Sequence, residues 1–170
     1  VLQTKEAMLD EMCSLLGGRA AEELFIGHIS TGAMNDLERT TKQAYGMIAF
    51  AGMSEKLPNV CYYNNNEYQF QRPYSEATAK LMDDEVLKMI NEQYDRAKQI
   101  LTEHADGHAQ LAQLLVDREV IFAEDVERIF GKRPWTSRAE ELLEAQMRAE
   151  AERMAAERER ELEQEKEEAK

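Results

Sequence analysis

The stretch Leu15–Thr41 reads LLGGRAAEELFIGHISTGAMNDLERTT, and its punctuation sets the fold. A Gly-Gly pair, Gly17 and Gly18, runs into the adjacent carboxylates Glu22 and Glu23. A short apolar end follows, then Ser30-Thr31-Gly32, then Asn35 and Asp36. Upstream, Leu9, Met12, Cys13, Leu16, Ala20 and Leu24 recur at helical spacing, which predicts a helix from about Lys5 to Phe25. Each mid-helix glycine costs about 1 kcal/mol against Ala. Close packing of another helix on the bare backbone is the expected compensation. Gly27 has the position of a C-terminal stop. A second helix is expected from about Thr31 to Phe50. Ser30, Thr31 and Asn35 are candidate N-caps, and Asp36 and Glu38 suit the positive end of a helix dipole. Gly52 and Pro58 close that segment.

Further along, Val60–Phe70 (VCYYNNNEYQF) alternates aromatic and β-branched residues around an Asn triplet, the pattern of a β-hairpin. Pro73 and Ser75 lead into a long helix ending near His104, with the stripe Met82, Val86, Met89, Ile90, Ala97, Ile100 and Leu101. Gly107 is expected to break it. A shorter helix holds Leu111, Leu114 and Leu115. Val120-Ile121-Phe122 opens a turn, and Ala123–Phe130 reads as a last short helix ended by Gly131 and Pro134. From Ser137 onward Glu, Arg and Ala dominate, and no continuous heptad repeats. That segment reads as a solvated helix or disordered tail, or else as a helix that pairs only in an oligomer. The fold class is therefore mainly α, a helical bundle with one small hairpin and a charged C-terminal tail. Residues 1–135 form the helical lobe and 136–170 the tail.

The chain has 170 residues and a net charge of −13. From Arg138 onward 12 acids face 7 bases, so the acidic excess is shared along the chain. Such a surface repels nucleic acid and anionic headgroups. Neither a nucleic-acid partner nor direct membrane contact by this segment is expected. No apolar run approaches the roughly 20 residues that span a bilayer, and no signal peptide is visible, so the segment itself is expected to be soluble. The start at Val1, without Met, reads as an internal or processed start. Cys13 and Cys61 lack metal-type spacing. Cys13 lies on an apolar helical face as a buried free thiol, and a reduced compartment is the simplest account.

Taken together, Gly17-Gly18-Arg19-Ala20-Ala21-Glu22-Glu23-Leu24 and Ser30-Thr31-Gly32-Ala33-Met34-Asn35-Asp36-Leu37 resemble the peptidase domain of the FtsH-type, membrane-anchored, ATP-dependent zinc metalloproteases. The resemblance runs through Trp135. It implies that Asp36 is the third zinc ligand, completing two histidines of a His-Glu-x-x-His helix. No such motif occurs in this chain, so it corresponds to the part of the domain after the zinc helix. A catalytic zinc needs three protein ligands and an open position for water. The chain alone is thus expected to be inactive and carries no catalytic base. Without the resemblance, Asp36 reads as a carboxylate stabilising a helix N-terminus.

Arg19, Glu22, Glu23 and Asn35 are expected in supporting or structural roles. Glu22 and Glu23 point about 100° apart on a helix and cannot both face one metal. Glu23 is also placed to pair with Arg19 at i,i+4. His104 and His108 share the spacing of a zinc helix, but Ala105 stands where a zincin carries its Glu. His104 instead continues the apolar stripe as a packed residue, and His28 reads as a surface loop residue. No phosphate-binding loop follows Gly17-Gly18-Arg19, so ATP belongs to an upstream module.

For the intact protein the resemblance implies polypeptide substrates, damaged or surplus membrane and soluble proteins. It also implies a homo-hexamer, an upstream AAA module in the same chain, and a membrane anchor with the protease on the cytoplasmic side. The rival class is a non-catalytic helical scaffold or assembly module, which composition alone favours. A His-Glu-x-x-His motif shortly upstream of Val1 separates the two.

Overall fold

The computed structural model describes residues 2–62, 74–134, 141–151, 153 and 154. Contacts divide the chain into two units, Val1–Gln113 and Leu114–Lys170. The described residues are mainly helical and contain no strand, only an isolated bridge between Met53 and Pro58. Most of the expected hairpin, from residue 63 on, lies outside the described residues, and Val60–Tyr62 are in no strand. Among the described residues no helix is long and apolar enough to cross a membrane.

In the first unit, α1 (Lys5–Ala21) starts at Thr4, whose hydroxyl accepts the Ala7 N–H at 3.2 Å. It continues as a π-helical turn, Glu22–Ile26, with Gly27 N–H bonded to the Glu22 carbonyl at 3.1 Å. Gly27 ends it at φ +80°, a left-handed conformation that favours glycine. A 3₁₀ turn, Thr31–Ala33, then feeds α2 (Met34–Tyr45), which widens into a second π turn, Gly46–Phe50. The long α3 (Glu76–Glu103) is capped by Ser75, whose hydroxyl accepts the Thr78 N–H. The expected start of α3 thus follows from side-chain capping, whereas Ser30 caps the 3₁₀ turn and α2 itself starts at Ala33 without a side-chain cap.

The core gathers Met12 and Leu16 of α1, Ala44 of α2, Met47, Ile48 and Ala49 of the second π turn, Leu57, and Met82, Val86 and Met89 of α3. Cys13, Ala20 and Ala97 form a smaller cluster, and burial pushes the Cys13 thiol above its usual range. One expectation fails here. A Cβ built on Gly17 or Gly18 meets nothing within 4 Å. The packing of α1 is done by Met12, Leu16 and Ala20, and the two glycines lie off that face.

Two further corrections concern the end of α3. The helix stops at Glu103, where His104 leaves helical geometry (φ −112°, ψ 26°), and α4 (Ala105–Arg118) begins at once with Gly107 inside it. Gly107 therefore breaks nothing. The same turn carries His104 off the apolar stripe, and it is exposed rather than packed.

A charged residue is also buried in α3. Glu85 accepts from the Ser54 hydroxyl at 2.8 Å and pairs with Lys56 at 2.9 Å. These two partners hold its carboxyl below the usual range. In the second unit, α5 (Ala123–Phe130) is capped by Asp125. Its carboxylate accepts the Phe122 N–H at 3.3 Å and pairs with Arg118 and Arg128 at 3.2 and 2.7 Å. Residues 141–151, 153 and 154 are helical, with Leu142, Leu143, Met147 and Met154 exposed.

Candidate metal centre

The π turn after α1 splits the neighbouring carboxylates between two partners. Glu22 turns toward the following loop. Its Oε2 accepts the Ser30 backbone N–H at 2.9 Å and its Oε1 accepts the Ser30 hydroxyl at 2.5 Å. Ser30 Oγ in turn accepts the Gly32 N–H at 3.1 Å and caps the 3₁₀ turn. The Ser30 hydroxyl, then its N–H, hold the Glu22 carboxyl below its usual range, and the nearby charge of Arg19 adds to this. Gly32 sits against this bracket: a Cβ there would lie 3.2 Å from Ser30 Oγ and 3.8 Å from Glu22 Oε1.

Glu23 turns the other way, to α3. It accepts the Tyr94 hydroxyl and lies 3.9 Å from Lys98 Nζ, which also sits over the Tyr94 ring. The ion pair expected with Arg19 is therefore replaced by one across the bundle. The reason is local: the wider π turn alters the helical register just where an i,i+4 pair would form.

Asp36 follows the 3₁₀ turn as an acidic residue in the first turn of α2. It is half-buried, and among the described residues its carboxylate has no hydrogen bond or ion pair. Asn35 beside it is exposed. As a donor, Asp36 suits a hard or borderline divalent metal such as zinc. It stands as a single carboxylate: among the described residues no group of three or more His, Cys, Asp or Glu side chains is placed to hold a metal.

The His104/His108 pair is divided between the α3–α4 joint and the first turn of α4. The His108 ring stacks on Phe25, with centroids 4.4 Å apart and planes 10° from parallel. His28 is exposed. The links from Glu22 to Ser30 and from Glu23 to Tyr94 have no signature in the sequence. Ser30 is legible there only as an N-cap, and Tyr94 only as part of a helical face.

Comparison with known proteins matches this sequence to one family. The profile described as Peptidase family M41 covers residues 1–129. The chain is 63% identical over 150 residues to the ATP-dependent zinc metalloprotease FtsH of Parabacteroides distasonis, covering 87% of this chain and 22% of that protein. It is 48% identical over 138 residues to FtsH of Rhodothermus marinus, covering 79% and 20%. It is 41% identical over 147 residues to the mitochondrial inner membrane m-AAA protease component AFG3L2 of Mus musculus, covering 84% and 18%. The chain thus spans about a fifth of the length of the curated relatives it matches. With the match to the family profile extending from residue 1 into α5, this chain belongs to peptidase family M41.

Proposed function

We propose that this chain is the helical lobe of an ATP-dependent zinc metalloendopeptidase and that Asp36 supplies the third ligand to its zinc. The observation that carries the reading is the Asp36 carboxylate, half-buried at the start of α2 and without a protein partner among the described residues. A carboxylate that no described residue pairs with is open to a cation. The remaining two ligands and the base come from outside this chain, from a zinc helix preceding it.

Bound zinc supplies an acidified water for attack on a peptide carbonyl. This chain's part is to hold one anionic oxygen donor on a rigid helix start. Glu22 bonds Ser30 in the loop before that start, Asn35 precedes Asp36 in sequence, and Glu23 fixes the end of α1 to α3. The exposed apolar residues Phe25, Ile26, Ile29 and Met34, which flank the turn in sequence, support a face covered by another part of the intact domain or by a neighbouring subunit.

In the intact protein we place this lobe after a membrane anchor and an ATP-driven unfolding module. That module feeds polypeptides, damaged or surplus membrane and soluble proteins, to a homo-hexameric protease on the cytoplasmic side.

The test is Asp36→Asn in the full-length protein. The amide keeps the size of the side chain but is a far weaker zinc donor. Zinc content and proteolysis should fall together while ATP hydrolysis persists. Wild-type degradation with full zinc occupancy would exclude Asp36 as a ligand. A full-length sequence without His-Glu-x-x-His would favour the scaffold reading.

A further inference from the structure

We propose that the first half of α4 is a hinged arm. Its pivot is His104 and its latch is the His108 ring stacked on Phe25, so that the arm opens and uncovers Phe25 while α1–α3 stay folded. The proposal does not depend on Asp36 binding a metal.

His104 and His108 have no place at the candidate metal centre, and the structure gives them different positions. His104 ends α3 at φ −112° and ψ 26°, and α4 begins at the next residue. The departure from helical geometry is therefore confined to one residue. Its N–H still bonds the Ile100 carbonyl at 3.1 Å, and its own carbonyl accepts the His108 N–H at 2.9 Å. A joint of this kind turns through the dihedrals of a terminal residue while the helices on either side stay intact. Gly107, in the first turn of α4, makes that turn cheaper to unwind.

Burial differs across the joint. α3 buries Met82, Glu85, Val86, Met89, Gln93 and Ala97, whereas no residue of α4 is fully buried. A helix without buried side chains opens at lower free energy than the core it flanks. The first half of α4, Ala105–Gln113, belongs to the same unit as α1–α3. It meets the end of α1 through the flat contact of His108 with Phe25, at 4.4 Å and 10°. Phe25 lies in the π turn before Gly27, and its sequence neighbours Leu24, Ile26 and Ile29 are exposed. Lifting His108 therefore bares a further aromatic face on an apolar stretch. One aromatic pair shifts an equilibrium by roughly 2- to 10-fold, enough to hold an arm shut without locking it.

The test is hydrogen exchange of the full-length protein, read by mass spectrometry on peptides from α3 and α4. In the wild type, amides of Ala105–Gln113 should exchange ahead of those of Met82–Ala97. The step should fall at His104, with the segment up to Glu103 following the rest of α3. Phe25→Ala and His108→Ala should each speed exchange in α4 by roughly 2- to 10-fold and leave Met82–Ala97 unchanged. The double variant should go no further than the faster single one, because both remove one contact. Phe25→Tyr and His108→Phe keep a pair of flat rings and should stay near the wild-type rate.

Unchanged α4 exchange in both alanine variants would overturn the latch, and so would additive effects in the double variant. Acceleration that runs back through Ala97 would overturn the pivot at His104 and make α3 and α4 one cooperative unit. If Phe25→Ala does not fold, His108→Ala and His108→Phe give the same comparison, since His108 is only half-buried.

Discussion

Tyr94 donates its hydroxyl to Glu23 across 71 residues of sequence, tying the end of α1 to the middle of α3. The bond closes the bundle on the side where α1 turns toward Asp36, and Lys98 beside it completes a small polar cluster. Burial first, and then the bond to Glu23, push the Tyr94 phenol up to about 12.

The sign of that shift fixes a pH dependence. A raised pKa in the folded chain means the native state holds the proton more tightly than the unfolded one. The stability it contributes is fully present below the unfolded value near 10. It is lost as pH rises from there through about 12. Tyr94→Phe should therefore destabilise the chain by about 1 kcal/mol at neutral pH. It should also flatten part of the alkaline decline. Urea unfolding of wild type and variant at several pH values between 8 and 12 checks this, with ultraviolet titration of the tyrosinate band. An equal alkaline decline in both proteins would show that the phenol is not held by Glu23.

The bare glycines of α1 give a second expectation. Gly18 is exposed, helical, and has open space where a Cβ would stand. With no neighbour to clash, Gly18→Ala should stabilise the chain by up to about 1 kcal/mol through helix propensity and a less flexible unfolded state. A shift of the urea midpoint to higher concentration at unchanged slope is the readout. A fall in stability would mean that another chain element rests on that surface in solution.

Those glycines also mark where the sequence stops being informative. Their cost is legible from propensity, but what sits opposite them is a tertiary fact. The starts of α3 and of the 3₁₀ turn before α2 were legible because Ser75 and Ser30 act within three residues of themselves. The α3 stripe was legible because Met82, Val86, Met89 and Ala97 repeat at helical spacing and do face the core. The end of that helix was not: His104 and Gly107 both allow a break, and the backbone takes it three residues earlier than glycine suggests. Glu85 reads as one more charge on a solvated face, yet Ser54 and Lys56 from a distant loop close over it. At the candidate site, Asp36 stands out only through its resemblance to a family, since position alone makes it a helix-dipole carboxylate. The partners of Glu22 and Glu23 depend on a π turn, whose register no periodicity announces.

The last expectation concerns the chain by itself, which should bind zinc weakly and cleave nothing. A structural zinc site of four ligands is worth about 10–16 kcal/mol near neutral pH. A catalytic one still requires three protein ligands. This chain offers Asp36 and, as the only spaced histidine pair, His104 and His108. Those two cannot substitute as they stand. His104 sits at the joint where α3 ends, and His108 lies in the next helix with its ring against Phe25. That stack covers a face of the His108 ring and fixes its plane, and neither histidine is grouped with Asp36 among the described residues. After dialysis against about micromolar zinc, metal analysis should find well under one equivalent per chain, and an unfolded protein substrate should remain intact. A Phe25→Ala variant, which frees the His108 ring, should not raise the zinc content. Stoichiometric zinc that disappears in a His104→Ala, His108→Ala double variant would show that the joint between α3 and α4 is a metal site in its own right.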